Sequence, residues 1–212
     1  MTGVDRMRVL GIDPGIRNTG WGVVEMASGH LRHIANGVIQ PDPAKPDPQR
    51  LQTIAAGLDA VIATHQPQRA AIEAIFVAHS AAAALKLGMA RGVAIMQCGA
   101  AGLEVDEIAA RQVKKAVVGT GSADKAQVAA MITRLLGITA VNDDAADALA
   151  IAIAAGHGDG LATQSGGRGG ARSGRIPAAA SGGLGSAIEA ALVRDAAAAK
   201  LSGDGSPEGD QG

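Results

Sequence analysis

Aromatic side chains are almost missing from this chain of 212 residues: Trp21 and Phe76 are the only two, and there is no tyrosine. A folded core must therefore be built from Ala, Val, Ile and Leu. Cysteine is equally scarce. Cys98 alone cannot make an internal disulfide, and it suits a reducing, cytoplasmic setting. No run of about 18 apolar residues occurs, so no membrane span is expected. The polar start, residues 1–7, lacks the apolar centre of a secretory leader. An excess of charge of either sign is missing too. With a formal net charge of −1, overall charge gives no support to nucleic-acid binding, and any such case must rest on local charge.

What is plentiful is glycine, and it is unevenly spread. Half of the 30 glycines fall in residues 156–212, which also have few large apolar side chains. This Gly/Ala-rich segment is expected to be a mostly disordered tail. Its stretch 187–201 is the one part with a helical stripe, and that stripe, Ile188 and Leu192, is narrow.

Residues 1–155 read as one α/β domain. Val9, Leu10 and Ile12 mark a buried strand over 7–13, and 19–26 and 31–39 follow as strands joined by a turn at Ser28-Gly29. The proline-rich stretch 41–48 reads as a loop. Asp47 is then expected as the cap of a helix over 48–65, with Pro48 at its first position and Leu51, Ile54, Leu58, Val61 and Ile62 at helical spacing. A short strand over 69–75, a helix over 80–100, a strand over 103–108 and helices over 122–136 and 143–155 complete the order. Three consecutive strands followed by helix–strand alternation suggest a mixed sheet covered by helices.

Four acids stand where apolar residues or open solvent would be expected. Asp13 ends the first strand just before Pro14-Gly15. Glu73 interrupts the apolar run "AAIEAIF". Asp144 and Asp147 are three apart on one face of a helix, and Ala148, Ile151 and Ala155 continue that face toward the protein. Taken singly, each has an ordinary reading as a turn residue, an edge residue or a cap. Together, four carboxylates in a partly buried cleft would repel one another unless cations entered. Two divalent ions would balance the four charges, and an all-oxygen ligand set suits Mg²⁺, or Mn²⁺ in its place, rather than Zn²⁺. Spacing does not choose between Asp143 and Asp144, since both are helical neighbours of Asp147.

The stretches "LGIDPGIRNTGWGV", "AIEAIF", "ALKLGMARGVAI", "ARQVKKAVVGTGSADKAQV" and "DAADALAIAI" resemble the RuvC family of Holliday-junction resolvases, in the ribonuclease H-like nuclease superfamily. The likeness runs from about residue 8 to 155. It implies a ribonuclease H-like mixed five-stranded sheet flanked by helices. It also implies a metal set made of Asp13, Glu73, Asp144 and Asp147, which decides for Asp144. The implied activity is cutting of symmetric strands in four-way DNA junctions, leaving 5′-phosphates, in recombination and repair. The resemblance further implies that Phe76 stacks on or wedges bases near the crossover, and that RuvA–RuvB, the branch-migration motor, is the functional partner. Where many relatives have a basic residue and Asn, this chain has His79-Ser80.

Local charge supplies the DNA contact that the overall charge does not. Residues 111–134 hold Arg111, Lys114, Lys115, Lys125 and Arg134 against one acid, Asp124. Ser122 reads as a helix cap, and Gly119 and Gly121 as places where backbone approaches closely. Lys125 in the first helical turn opposes the helix dipole unless a phosphate lies there. The resemblance also places lysines matching Lys114 and Lys125 by the active site. Two symmetric cuts call for a two-fold dimer. Gly88 and Gly92 near Leu85, Met89 and Met96 suit a close helix contact, as the family's homodimers use. Two rivals remain. An actin-like ATP-binding enzyme shares the "DPG" turn but needs a second domain, and a non-catalytic junction binder has no need of all four acids.

Overall fold

A computed structural model describes residues 6–74, 80–139 and 141–164, the last seven of these by backbone alone. Phe76, His79 and the segment 165–212, with its 187–201 stripe, lie outside the described residues. The sheet and its helices, through Ala74 and from Lys86 on, form one compact unit; Ser80–Leu85 fall in a second.

Three antiparallel strands open the chain: β1 (Arg6–Asp13), β2 (Thr19–Ala27) and β3 (His30–Ile39). The β2–β3 turn places Ser28 at φ 49° and Gly29 at φ 80°, the two left-handed positions of a tight hairpin. Helix α1 (Asp47–His65) leads to β4 (Arg69–Ala74), and α2 (Ala81–Ala100) to β5 (Glu104–Ala109). Then come α3 (Ala110–Val118), α4 (Lys125–Leu136) and α5 (Asp143–Gln164). The strand order is β3-β2-β1-β4-β5, with β4 parallel to both β1 and β5. This is the expected five-stranded mixed sheet.

Alternation along the strands divides the core in two. Leu10, Ile12, Val23, Ala70 and Ile72 face α1 and α2, meeting Ile54, Leu58, Ala90, Ala94 and Cys98. Val9, Val24 and Ala71 face the other way, onto Val113, Val117, Ile132, Leu149 and Ile153 of α3, α4 and α5. Asp13 and Glu73 are in phase with Val9 and Ala71, so both carboxylates emerge on the α5 face.

Helix α5 lies unusually close to the sheet. Its inner residues are mostly alanine, and Ala145, Ala148 and Ala152 are fully buried. The strands meet it with glycine: a Cβ on Gly11 would run into the carbonyl oxygen of Ala148, and one on Gly20 into that of Asp144.

Several local expectations are corrected. Pro46, not Asp47, is the N-cap of α1, and no side chain caps it. Asp47 instead pairs with Arg50 and Lys86. Helix α3 was not expected: nine residues with only Val113 and Val117 buried give a stripe too short to recognise. Gly119 ends it at φ 87°, so this glycine supplies a left-handed C-cap rather than close approach. Asp124 replaces Ser122 as the cap of α4. Its carboxylate accepts from the Gln127 amide at 2.8 Å, and the Gln127 side chain accepts from the Asp124 amide at 3.0 Å, a reciprocal capping box. Helix α5 runs through Gly156 to Gln164 rather than stopping at 155. The α2 face offered for a close helix contact stays open, with Leu85 66% and Met96 58% accessible, while Ala90, Arg91, Ala94 and Cys98 face inward.

Candidate active site

Asp13 is the last residue of β1 and pairs across the ladder with Gly20 of β2. The chain then turns sharply, and buried Thr19 closes that turn, donating its hydroxyl to the Gly15 carbonyl at 2.9 Å. Glu73 stands one residue before the end of the adjacent strand β4. Over the same rim lies the first turn of α5. Asn142 caps it: its side-chain oxygen accepts from the Asp144 amide at 2.9 Å and its carbonyl from the Ala146 amide at 2.8 Å. Asp144 and Asp147 thus descend onto the end of the sheet, where Gly20 leaves room for the helix backbone.

Asp13 feels the other three acids. Burial pushes the Asp13 carboxyl up from 3.8 to about 7, helped by the charges of Asp147, Glu73 and Asp144 and opposed by Lys125. Glu73 is also raised, by burial first and then by Asp147, with Lys114 pulling the other way. Asp143, by contrast, is 77% accessible at its side chain and is not among the charges that shift Asp13. Asp144, unlike Asp143, is among the charges that act on Asp13.

Two lysines border the acids. Lys125, first residue of α4, places its Nζ 3.1 Å from Asp147 Oδ2 and 3.6 Å from Asp143 Oδ2. Its hydrogen bond to Asp147 is the main reason its pKa is raised. Lys114 comes from the unexpected helix α3. A cleft of about 190 Å³ is lined by Glu73, Lys114, Lys125 and Asp147, floored by Val113 and Ile151. Arg111 lies against Gly121 at the edge of the α3–α4 connection. Lys115 turns elsewhere, into a larger hollow of about 670 Å³ beside Arg69, Asp106 and His157. That hollow holds an Arg69–Asp106 ion pair but none of the four acids, whereas Glu73 and Asp147 both line the smaller cleft. Phe76 lies outside the described residues, three positions beyond Glu73.

Among the described residues no three of these side chains stand close enough to form a ready-made metal cage. Of the four acids, Asp147 is the one paired with the Lys125 ammonium among the described residues. The donor chemistry nonetheless fits a hard divalent ion: carboxylate oxygens only, from three separate segments, at a site where burial makes each uncompensated charge costly. Sequence reasoning missed Asn142 and Gly20, which set where the first turn of α5 sits. An Asn before a helical acid pair was a readable cap signal. Gly20 carried no signal beyond being a glycine in a strand.

The raised Asp13 pKa has a consequence for stability. Between 3.8 and about 7 the folded protein keeps a proton that the unfolded chain has released. Stability therefore falls as pH rises through that window, and the whole cost is present above it. Thermal melts of wild type and Asp13→Asn should nearly coincide near pH 4 and separate toward neutral pH, with the Asn variant the more stable. A constant difference across the range would contradict the coupling.

A family model for "Crossover junction endodeoxyribonuclease RuvC" matches residues 9–155. A protein of that description from Acidiphilium cryptum is 49% identical over 175 residues, covering 82% of this chain and 98% of the relative. One from Maricaulis maris is 52% identical over 151 residues, covering 71% and 91%. Among solved structures, Thermus thermophilus RuvC in complex with a Holliday junction substrate superposes with a TM-score of 0.70 at 33% identity, covering 74% of this chain and 97% of that one. The yeast mitochondrial Holliday junction resolvase Ydc2, at 14% identity and a TM-score of 0.55, shares the fold.

Proposed function

The chain belongs to the RuvC family of junction-resolving endodeoxyribonucleases, and from that premise we propose that Asp13, Glu73, Asp144 and Asp147 are the metal-holding acids with which it cuts four-way DNA. The ribonuclease H-like fold and the nuclease class are those of its relatives. Use of a divalent metal is implied by the family; two Mg²⁺ ions, replaceable by Mn²⁺, is the reading the four carboxylates support. The observation that carries it is Asp13, a strand-end acid pushed to about 7 by burial and by the charges of Asp147, Glu73 and Asp144. Bound there, divalent ions would generate a water nucleophile at neutral pH and stabilise charge on the phosphate and the departing oxygen. The chain's own residues do the rest. Asp13 lies centrally between the two flanking segments. Asp144 and Asp147 bring the charge of the α5 rim, and Glu73 closes the set from β4. Lys125 and Lys114 line the cleft as cations for the scissile phosphodiester, with Arg111 at its border, and Lys115 is left for a more distant backbone contact. Phe76 is assigned to stacking against a base at the crossover, on the family resemblance.

We assign the chain through the end of α5 at Gln164, rather than residue 155, to the nuclease domain, and the residues after it to a tail. Paired symmetric nicks need two such sites, so a homodimer is proposed through the exposed face of α2. A Cβ on Gly88, Gly92 or Gly99 would meet nothing within 4 Å, and Met96 is largely accessible beside them. This favours a partner helix over burial within the domain. RuvA–RuvB is the proposed functional partner and the cytoplasm the proposed setting. Among the described residues no helix is long and apolar enough to cross a membrane.

The test is a mobile synthetic four-way junction incubated with the protein and Mg²⁺. Symmetric nicks with 5′-phosphate ends support the reading; binding without nicks in either Mg²⁺ or Mn²⁺ defeats it. Lys125→Ala should slow cleavage by roughly ten- to a hundredfold and flatten its salt dependence, with folding unchanged. Equal rates at every salt concentration would make Lys125 a plain surface lysine.

A further inference from the structure

Charged side chains are rarely buried in this fold. Among the described residues Glu25, Arg50 and Arg91 are the buried ones. Glu25 is paired with Arg8 and Arg32 at the end of the sheet away from the acids. The two arginines have a different pattern, because each donates to a main-chain carbonyl close to one of the proposed metal-holding acids. Arg50 of α1 bonds the Ile16 carbonyl at 2.7 Å, in the turn after Asp13. Arg91 of α2 bonds the carbonyl of Glu73 itself at 2.7 Å.

Arg91 is the stronger case. Its side chain is 8% accessible, and its second contact is Glu107 Oε2 at 2.7 Å, on a side chain that is 60% accessible. It approaches from the α1–α2 side of the sheet, whereas the Glu73 carboxylate emerges on the α5 side. The β1–β4 ladder ends at the Ile12–Ile72 pair, so Glu73 is the first residue of β4 past its β1 partner. At that point the strand has lost a neighbour, and the Arg91 N–H takes up its carbonyl. A buried guanidinium costs desolvation that an apolar side chain would avoid. What it supplies here is a fixed strand end under an acid.

We propose that Arg91 is a positioning residue: from behind the sheet it fixes the main chain at Glu73, and so the place at which the Glu73 carboxylate meets the metal. The inference rests on Glu73 being one of the metal-holding acids. Outer groups that orient a metal ligand typically matter by 10- to 100-fold in affinity or activity.

Arg91→Met removes both bonds at similar length; Arg91→Lys keeps one donor; Glu107→Gln removes only the exposed ion pair. For each, the measurements are melting temperature, junction binding without divalent ions, Mn²⁺ binding without DNA, and the Mg²⁺ concentration giving half-maximal cleavage. R91M should bind junctions as wild type, bind Mn²⁺ roughly 10- to 100-fold more weakly and need correspondingly more Mg²⁺. R91K should recover part of the loss, and E107Q should resemble wild type. Unchanged Mn²⁺ affinity in R91M overturns the proposal, and so does an equal loss in R91M and E107Q that tracks melting temperature. Should R91M not fold, R91K decides: weakened Mn²⁺ binding at an unchanged melting temperature supports the proposal, and unaltered binding overturns it. Glu73→Gln run in parallel separates the two levels. If it still cleaves, the assignment of Glu73 has failed; if it is inactive while R91M and R91K are normal, only the role of Arg91 has.

Discussion

Asp13→Asn should lower the rate of strand cleavage by about 10³-fold or more while leaving junction binding largely intact. The size follows from the chemistry. Metal ions at a phosphodiester contribute several kcal/mol to the transition state, and each 1.36 kcal/mol is tenfold in rate. Asp13 feels all three other acids, and an amide in its place keeps the shape but removes the anionic oxygen that binds a hard cation. Junction binding should survive because the proposed phosphate contacts, Lys114 and Lys125, are cationic and come from α3 and α4. Relief of a buried, repelled carboxylate should also raise the melting temperature at neutral pH. More stability with less activity is the usual signature of a site whose strain serves its chemistry. Cleavage persisting at the wild-type rate in Asp13→Asn would remove the residue from the site.

Gly20→Ala should also be severe, although the substitution adds only one methyl group. The new Cβ would point at the backbone of Asp144, 2.5 Å from its carbonyl carbon and 3.2 Å from its Cα. Main chain cannot rotate aside as a long side chain does, so the first turn of α5 must lift. Overpacking of this kind typically costs 1–3 kcal/mol, and a displacement of about 1 Å at a reacting site costs on the order of 10²-fold in rate. The expected result is a protein that folds with a lower melting temperature, binds junctions and cleaves about a hundredfold more slowly. Wild-type cleavage by Gly20→Ala would mean that the position of Asp144 over the sheet does not matter to catalysis.

How much of this was legible beforehand depends on where each residue acts. Asp13 and Glu73 could be read because each interrupts an apolar run, an oddity visible in one dimension. The pairing of Asp147 with an acid three or four residues earlier was legible from helical period. Choosing Asp144 over Asp143 was not, and needed the family resemblance; in the folded chain Asp143 is the exposed one and Asp144 acts on Asp13. Helix α3 escaped notice because its N-cap is Ala109, which has no capping side chain of its own, and because it buries only two valines, yet it delivers Lys114 to the cleft. Lys115, its neighbour, looked equivalent in sequence and turns to a different hollow, since adjacent helical residues point about 100° apart. Gly20 and Arg91 were illegible for a shared reason. Each works through the backbone of a residue distant in sequence, Asp144 and Glu73, and no local pattern marks such a contact.

The central claim is that carboxylates from β1, β4 and α5 converge on shared divalent ions. Its most direct test is to locate Mn²⁺ by anomalous scattering in crystals of the protein. Peaks between Asp13, Glu73, Asp144 and Asp147, and their loss in Asp13→Asn, are the expected result. Mn²⁺ bound elsewhere, with those four side chains dry of metal, would contradict the account.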